Sequence, residues 1–208
     1  MKKAMIITEQ PMSKDKNNID CFMSEIENCS VCKELINKNK AICLKKNYLL
    51  NQYGSKLSDR FTKVMNIICK TLLNDKVDYY WTHYIKHHTN DVPNKKINKL
   101  LWEKIGRRCS ETWIEREIKE WEPNYILIFG VYPLKAIRNL KSNIPNKTLT
   151  ELANEKKSYE LYFNDKKIKI LIFPHPSGKS RLANKYYGKK LVNIEKIENF
   201  IKGEINIK

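Results

Sequence analysis

The chain has 208 residues, of which 41% are hydrophobic and 10% aromatic. A chain of this length and composition is predicted to form a single domain over residues 1–208, with a core that needs neither disulfides nor a metal. With six glycines and seven prolines, it is neither collagen-like nor of low complexity. The longest apolar stretch lies around Tyr125–Leu134. At about ten residues, it is half of the roughly 20 that a membrane span requires.

The chain is strongly basic, because 40 lysines and arginines exceed 23 acidic residues and give a net charge of +17. Such an excess favours a polyanionic partner, of which nucleic acid is the commonest. A membrane surface is a weaker candidate, since neither terminus carries a strongly basic amphipathic helix. The apolar run Ala4–Ile7 is too short for a signal-peptide core. We therefore expect a cytoplasmic protein, taken to be a monomer, whose six cysteines are thiols or metal ligands.

Short apolar runs rich in β-branched and aromatic residues predict the strands. In chain order they cover Ala4–Ile7, Asp78–Ile85, Tyr125–Phe129, and the arms of a hairpin, 158–164 and 167–173. The hairpin is predicted from Asn164-Asp165, a pair typical of a tight two-residue turn.

Helical spacing of apolar residues predicts helices between these strands. They are expected over 20–38, from Ser55 or Ser58 onwards, over 97–121 and over 190–202. The second helix places one apolar face at Leu57, Phe61, Val64, Met65, Ile68 and Leu72. The third does so at Trp113, Ile114, Ile118 and Trp121. After Gly130 turns the chain, Pro133 stands where a further helix would begin.

Strands that alternate with helices predict an α/β fold of three α/β/α layers, with a central, mostly parallel sheet of about four strands. In such sheets, ligands bind beyond the carboxyl ends of the strands. That rule selects the residues that follow the predicted strands. They are Glu9, His83, Gly130 and His175.

Four motifs in this order carry a resemblance to a known family. They are Thr8-Glu9-Gln10-Pro11, Thr82-His83 followed by Lys86-His87, Cys109 ahead of the strand that ends at Gly130, and His175-Pro176-Ser177. The ordered set, from about residue 4 to residue 185, resembles the uracil-DNA glycosylase superfamily and is closest to its iron–sulfur branch. The resemblance implies a monofunctional DNA glycosylase, a hydrolase that flips a base out of DNA and leaves an abasic site.

The resemblance also implies roles for individual residues. Glu9 would stabilise the positive charge that develops on the sugar or position water, and His175 would stabilise the departing base. The basic loop after His175 would bind DNA phosphates, while an apolar side chain fills the gap left by the flipped base. The residues assigned to this DNA contact are Ser177, Lys179, Arg181 and Leu182.

The cysteines match the iron–sulfur branch in part. The branch holds its cluster with a CxxC pair and two later cysteines, and Cys29, Cys32 and Cys109 match three of these. His87 stands where the fourth cysteine would be, and Cys43 or His88 are alternative fourth ligands. The CxxC pair here follows the first strand, whereas in that branch it usually precedes it. Three thiolates and one imidazole could hold a [4Fe-4S] cluster, with zinc as the alternative. Cys69, between Ile68 and Lys70 on a helix, is expected to be plain core.

The base-recognition positions depart from the family. His83 replaces the asparagine that reads the uracil edge, and a neutral imidazole offers one donor and one acceptor in a different geometry. The usual stacking phenylalanine is missing, and Tyr53 is the predicted substitute, with Gln10 as a further base contact. A changed reader in an otherwise intact framework predicts a different base, such as a bulky modified cytosine or uracil of phage DNA, removed in antiviral defence. Uracil removal in DNA repair and a non-catalytic nucleic-acid-binding protein are the alternatives.

Overall fold

The computed structural model describes residues 2–9, 59–84, 96–140, 142–176, 181–188 and 193–206. Its strands are β1 (Lys2–Thr8), β2 (Val77–His83), β3 (Tyr125–Phe129), β4 (Tyr159–Phe163) and β5 (Lys166–Phe173). They form one sheet in the order β2-β1-β3-β5-β4. β2, β1, β3 and β5 are parallel, and β4 is antiparallel to β5. The sheet therefore contains all five predicted strands, one more than the expected sheet size of about four, and it is mostly parallel as predicted.

The helices of the described residues are α1 (Asp59–Asn74), α2 (Lys96–Trp121), α3 (Val131–Arg138), α4 (Leu149–Glu155), α5 (Arg181–Tyr187) and α6 (Ile194–Asn206). The apolar faces predicted for α1 and α2 are buried, apart from the half-buried Trp121 and from Leu57, which lies outside the described residues. The predicted helix over 20–38 also lies outside them. α6 begins at Ile194, later than the predicted residue 190. None of the described helices is long and apolar enough to cross a lipid bilayer.

The central strands are buried on both faces because helices cover the sheet from both sides. All five residues of β3 are buried, as is typical of a central parallel strand. Alternate residues of β1, β2, β3 and β5 enter two separate core clusters. Ile126 and Ile128 pack with Ile114 and Ile118 of α2, whereas Leu127 and Phe129 pack with α1 and α6. This arrangement confirms the predicted three-layer α/β fold.

The hairpin between β4 and β5 also forms as predicted. Asn164 and Asp165 have φ angles of 48° and 60°, so both central residues adopt the left-handed conformation that a tight hairpin turn requires. The turn places β4 at the edge of the sheet and leaves β5 beside β3.

The register of the parallel strands brings their carboxyl ends to one level. Thr8 at the end of β1 pairs with His83 at the end of β2. On the other side, Phe129 at the end of β3 pairs with Phe173 at the end of β5. The residues that follow these strands therefore line one continuous edge, which we call the carboxyl edge.

Candidate active site

The four residues selected from the sequence lie at the carboxyl edge in an order that differs from their order in the chain. Across the sheet, the order is His83 on β2, Glu9 after β1, Gly130 after β3 and His175 after β5. Glu9 and His175 thus lie on either side of Gly130. The parallel order β1-β3-β5 places at one sheet edge two residues that are 166 positions apart in the sequence.

Gly130 makes room for the Glu9 side chain. A Cβ atom at position 130 would lie 2.6 Å from Glu9 Oε1 and 3.1 Å from its Cδ. Gly130 also has a φ of 108°, a conformation that residues with a side chain rarely adopt. The backbone conformation therefore favours glycine at this position, and a larger residue would also displace the Glu9 carboxyl group.

The Glu9 carboxyl group is poised between its two protonation states near neutral pH. Burial raises its pKa from 4.5 to about 7, since desolvation disfavours the carboxylate. The carboxyl group lies near Tyr132, whose own pKa is raised by burial and by the charges of Glu103 and Glu9. A carboxyl group with a raised pKa in a cleft is a candidate for catalysis.

Two hydrogen bonds fix the chain around His175. The Gly130 N–H donates to the Phe173 carbonyl at 3.1 Å, and the buried Tyr187 hydroxyl donates to the Pro174 carbonyl at 2.6 Å. The His175 ring packs against Phe61 of α1, with 5.4 Å between ring centroids. Burial lowers the pKa of His175 from 6.5 to about 4, so its imidazole is neutral at physiological pH.

His83 is buried and belongs to a small polar network. Its Nδ1 lies 2.6 Å from Thr8 Oγ1, which also accepts a hydrogen bond from Trp81 Nε1–H at 3.0 Å. The Thr8 hydroxyl has one proton to donate, and Nδ1 is closer than the Thr82 carbonyl at 3.4 Å. We assign the imidazole proton to Nε2 on this geometry. Contact between a ring nitrogen of His83 and a base would therefore use Nε2.

An aromatic row runs beneath the carboxyl edge and was not selected from the sequence as part of the site. Phe61 lies 6.0 Å from Trp81, and Trp81 lies 6.4 Å from His83, measured between ring centroids. With the contact between Phe61 and His175, the row connects the two histidines. Helical spacing identified Phe61 only as core, and the adjacent strand end was the one signal that could have linked Trp81 to the site.

Several predicted site residues lie outside the described residues. They are Gln10, Tyr53, Cys29, Cys32, Cys43, His87, His88, Ser177 and Lys179. Cys109 lies on α2, although its side chain is not among those described. Within the described part of the chain, no three histidines, cysteines or acidic residues come together as a metal site. Cys69 is buried core, as predicted.

The two described members of the predicted DNA contact lie at the start of α5. Arg181 is exposed. Leu182 is half-buried and packs against the core cluster on the α2 side of the sheet. Its side chain is therefore partly held by the core, and its use as a wedge stays a prediction.

The site combines a desolvated carboxyl group and a neutral imidazole at the same sheet edge. The carboxylate can stabilise a cation or take a proton from water. The neutral imidazole can donate one hydrogen bond to an oxygen that gains negative charge. This pair suits the breaking of a bond in which one fragment becomes cationic and the other anionic.

Comparison with known families identifies the class to which this fold and site belong. The family model of the uracil DNA glycosylase superfamily matches residues 2–200, almost the whole chain. The chain therefore belongs to this superfamily, whose members are DNA glycosylases, and DNA is the substrate that membership implies. A search of the curated proteins finds no match.

Proposed function

We propose that this protein is a monofunctional DNA glycosylase that hydrolyses the N-glycosidic bond of a flipped-out nucleotide and leaves an abasic site. The observation that carries the proposal is the position of Glu9 and His175 on either side of Gly130, where burial shifts the pKa of each side chain towards its neutral form. We propose further that it acts as a monomer in the cytoplasm.

The proposed reaction uses the two groups on opposite fragments. As the bond between C1′ and the base nitrogen breaks, its electron pair leaves with the base and the sugar becomes cationic. The Glu9 carboxylate stabilises the sugar cation and accepts a proton from the water whose oxygen bonds to C1′. The neutral His175 imidazole donates a hydrogen bond to the base carbonyl that gains negative charge.

The target that we propose is a modified pyrimidine, such as a hypermodified cytosine of phage DNA, and the role is antiviral defence. Support comes from His83, which stands in place of the family's asparagine and has its Nδ1 fixed by Thr8. A proton on Nε2 makes His83 a hydrogen-bond donor to the base. An asparagine amide would instead offer a donor and an acceptor together.

The test of the target is a panel of DNAs that carry uracil, hypoxanthine, hydroxymethylcytosine or glucosylated cytosine, scored for released base. We expect more base to be released from DNA that carries a modified cytosine than from DNA that carries uracil. His83→Asn should shift the preference towards uracil without abolishing release. Preferential release of uracil by the wild-type protein would favour the first alternative, a repair enzyme.

The second alternative is a DNA-binding protein without catalytic activity. A wild-type protein that binds DNA but releases no base from any panel member would favour it. The presence of both Glu9 and His175 at the carboxyl edge argues for the enzyme, since DNA binding alone would not require a desolvated carboxyl group there.

A metal centre is a separate proposal. Cys29, Cys32 and Cys109 would hold a [4Fe-4S] cluster or a zinc ion, with His87, Cys43 or His88 as the fourth ligand. Its function would be structural, because metal binding contributes to folding free energy. Protein purified without oxygen should be brown, or should contain stoichiometric zinc. Cys29→Ala should then reduce the yield of folded protein more than it alters base preference. A preparation that contains neither iron nor zinc would refute the proposed metal centre.

A further inference from the structure

A polar cavity lies between α2 and α3, and Tyr84, the residue after His83, is part of its lining. This groove has a volume of about 400 Å³. Its lining is mostly polar, so it suits a charged or hydrogen-bonding ligand better than an apolar one. The residues that line it include Tyr84, Glu103, Arg107, Lys135 and Arg138. We call it the α2–α3 groove.

The groove has an excess of positive charge. The described part of the chain lines it with three cations, Arg107, Lys135 and Arg138, and with one carboxylate, Glu103. Glu103 forms an ion pair with Lys135 at 3.0 Å. The remaining charge therefore comes from Arg107, which is exposed on α2, and from Arg138 at the end of α3. This charge favours an anion as the ligand.

Arg138 is held in one orientation before any ligand binds. Its Nη2 donates to the Pro145 carbonyl at 2.6 Å and to the Lys147 carbonyl. Its Nε is buried, with no hydrogen-bond partner among the described residues. Burial lowers the pKa of the guanidinium, which means that its positive charge is incompletely compensated. A fixed cation binds an anion at a low cost in side-chain entropy.

Two tyrosines link the groove to the carboxyl edge. Tyr84, which lines it, directly follows His83 and packs against Gly106 of α2, where a Cβ atom would overlap the tyrosine ring. Tyr84 also stacks on Tyr132, with 5.9 Å between ring centroids and 22° between the ring planes. Tyr132 in turn lies close to Glu9. A polyanion that lies across the carboxyl edge could therefore continue into the groove.

We propose that the α2–α3 groove is a second DNA-contact site, which binds a backbone phosphate of the strand that leaves the carboxyl edge. The inference rests on the proposed function, because it takes DNA as the ligand. This site is distinct from the basic loop after His175. That loop follows β5 in the sequence, whereas the groove lies between α2 and α3 and includes Tyr84, which follows β2. Phosphate contacts here would set the position of the strand without reading its sequence.

The test compares two neighbouring arginines of α2. Arg107 lines the groove, whereas the equally exposed Arg108 does not, so Arg108→Ala is the matched control for Arg107→Ala. Affinity for fluorescent DNA without a cleavable base would be measured by anisotropy at several salt concentrations. Arg107→Ala should weaken binding by about three- to tenfold and reduce the slope of log K against log salt by about 1. Arg107→Glu should weaken it further, and Arg108→Ala should change it less than about twofold.

The length of the DNA provides a second arm. An oligonucleotide too short to extend past the carboxyl edge should bind wild type and Arg107→Ala with equal affinity. The difference in affinity should appear only when the oligonucleotide is lengthened at one end. Equal effects of Arg107→Ala and Arg108→Ala, or an Arg107→Ala effect that is the same at every length, would overturn the inference. Because the assay needs no base release, an inactive protein would refute the proposed function and leave this result standing. If the wild-type protein releases a base but Arg107→Ala and Arg108→Ala bind DNA equally well, the proposed function would stand and this inference would be refuted.

Discussion

Two glutamates of this protein lie in opposite electrostatic environments. Glu155, at the end of α4, accepts hydrogen bonds from Lys147 Nζ at 2.7 Å and from the Tyr159 hydroxyl at 2.9 Å, and it pairs with Lys157 at 2.8 Å. These hydrogen bonds lower its pKa from 4.5 to about 2. Burial at the carboxyl edge instead raises the pKa of Glu9 to about 7.

The difference separates a structural carboxylate, Glu155, from the proposed catalytic one, Glu9. Around α4, the fold surrounds the carboxylate with donors, which favours its charged form. At the carboxyl edge, burial desolvates the Glu9 carboxyl group, which favours its neutral form. A protein accepts such a destabilised arrangement where function requires it. Removal of the Glu9 charge is therefore expected to slow catalysis and to raise the free energy of unfolding.

The largest expected effects are on the rate of base release. Glu9→Gln preserves the shape of the side chain but loses its charge, and His175→Ala loses a hydrogen-bond donor. Each should slow single-turnover base release by about 10²-fold or more, because each removes a preorganised electrostatic group. DNA affinity should change little, since the lost interactions belong to the transition state. Glu155→Gln is the control and should release base at the wild-type rate.

The next effect concerns Gly130. Gly130→Ala places a Cβ atom against the Glu9 carboxyl group and strains the backbone at a φ of 108°. We expect base release to slow by about tenfold or more and unfolding free energy to fall by about 1–3 kcal/mol. Gly203→Ala on α6 is the matched control, because nothing lies within 4 Å of its added Cβ. In chemical denaturation, Gly203→Ala should leave the free energy of unfolding unchanged or raise it slightly. A Gly130→Ala protein with wild-type stability and rate would show that Glu9 does not depend on this close approach.

The smallest effect is on stability as a function of pH. Between pH 4.5 and about 7, Glu9 is protonated in the folded state and ionised in the unfolded state, so its contribution to stability falls as pH rises through this range. Glu9→Gln cannot ionise at this position, so it should not lose stability in this way as pH rises. It should be more stable than wild type at pH 8 by about 1–3 kcal/mol, reduced from the full shift because Glu9 is only partly buried. The two proteins should converge near pH 4.5, and urea unfolding at both pH values measures the difference. Equal stability at pH 8 would mean that Glu9 is not desolvated.

The carboxyl edge was largely predictable from the sequence, because apolar runs locate the strands and parallel topology aligns their ends. Glu9, Gly130 and His175 follow from that rule, whereas His83 falls inside the predicted strand Asp78–Ile85 and is the last residue of β2. Their spatial order was not predictable, since it depends on β1 lying between β2 and β3. The shift in the pKa of Glu9 was also inaccessible, because it arises from burial beside Gly130, more than a hundred residues away.

Other features were missed for different reasons. The short helix α4 begins with a capping box, in which Thr148 and Glu151 exchange hydrogen bonds. The capping-box pattern was present in the sequence, but the helix was not predicted because it is short. Phe61 has the spacing of a core residue and is buried, yet it also packs on His175. Periodicity identifies the buried face of a helix but cannot say which buried residue borders a site.

The most direct test of the central claim is the pH dependence of kcat/KM for base release, which reports the ionisation of the free enzyme. If the Glu9 carboxylate is the required form, kcat/KM should rise with pH up to about 7 and then level off. His175→Ala should be slower but keep the same midpoint, because His175 is already neutral above pH 4. Glu9→Gln should be slow and should lose the rise. A wild-type profile that is flat across this range, or a Glu9→Gln profile that keeps both rate and midpoint, would contradict the account.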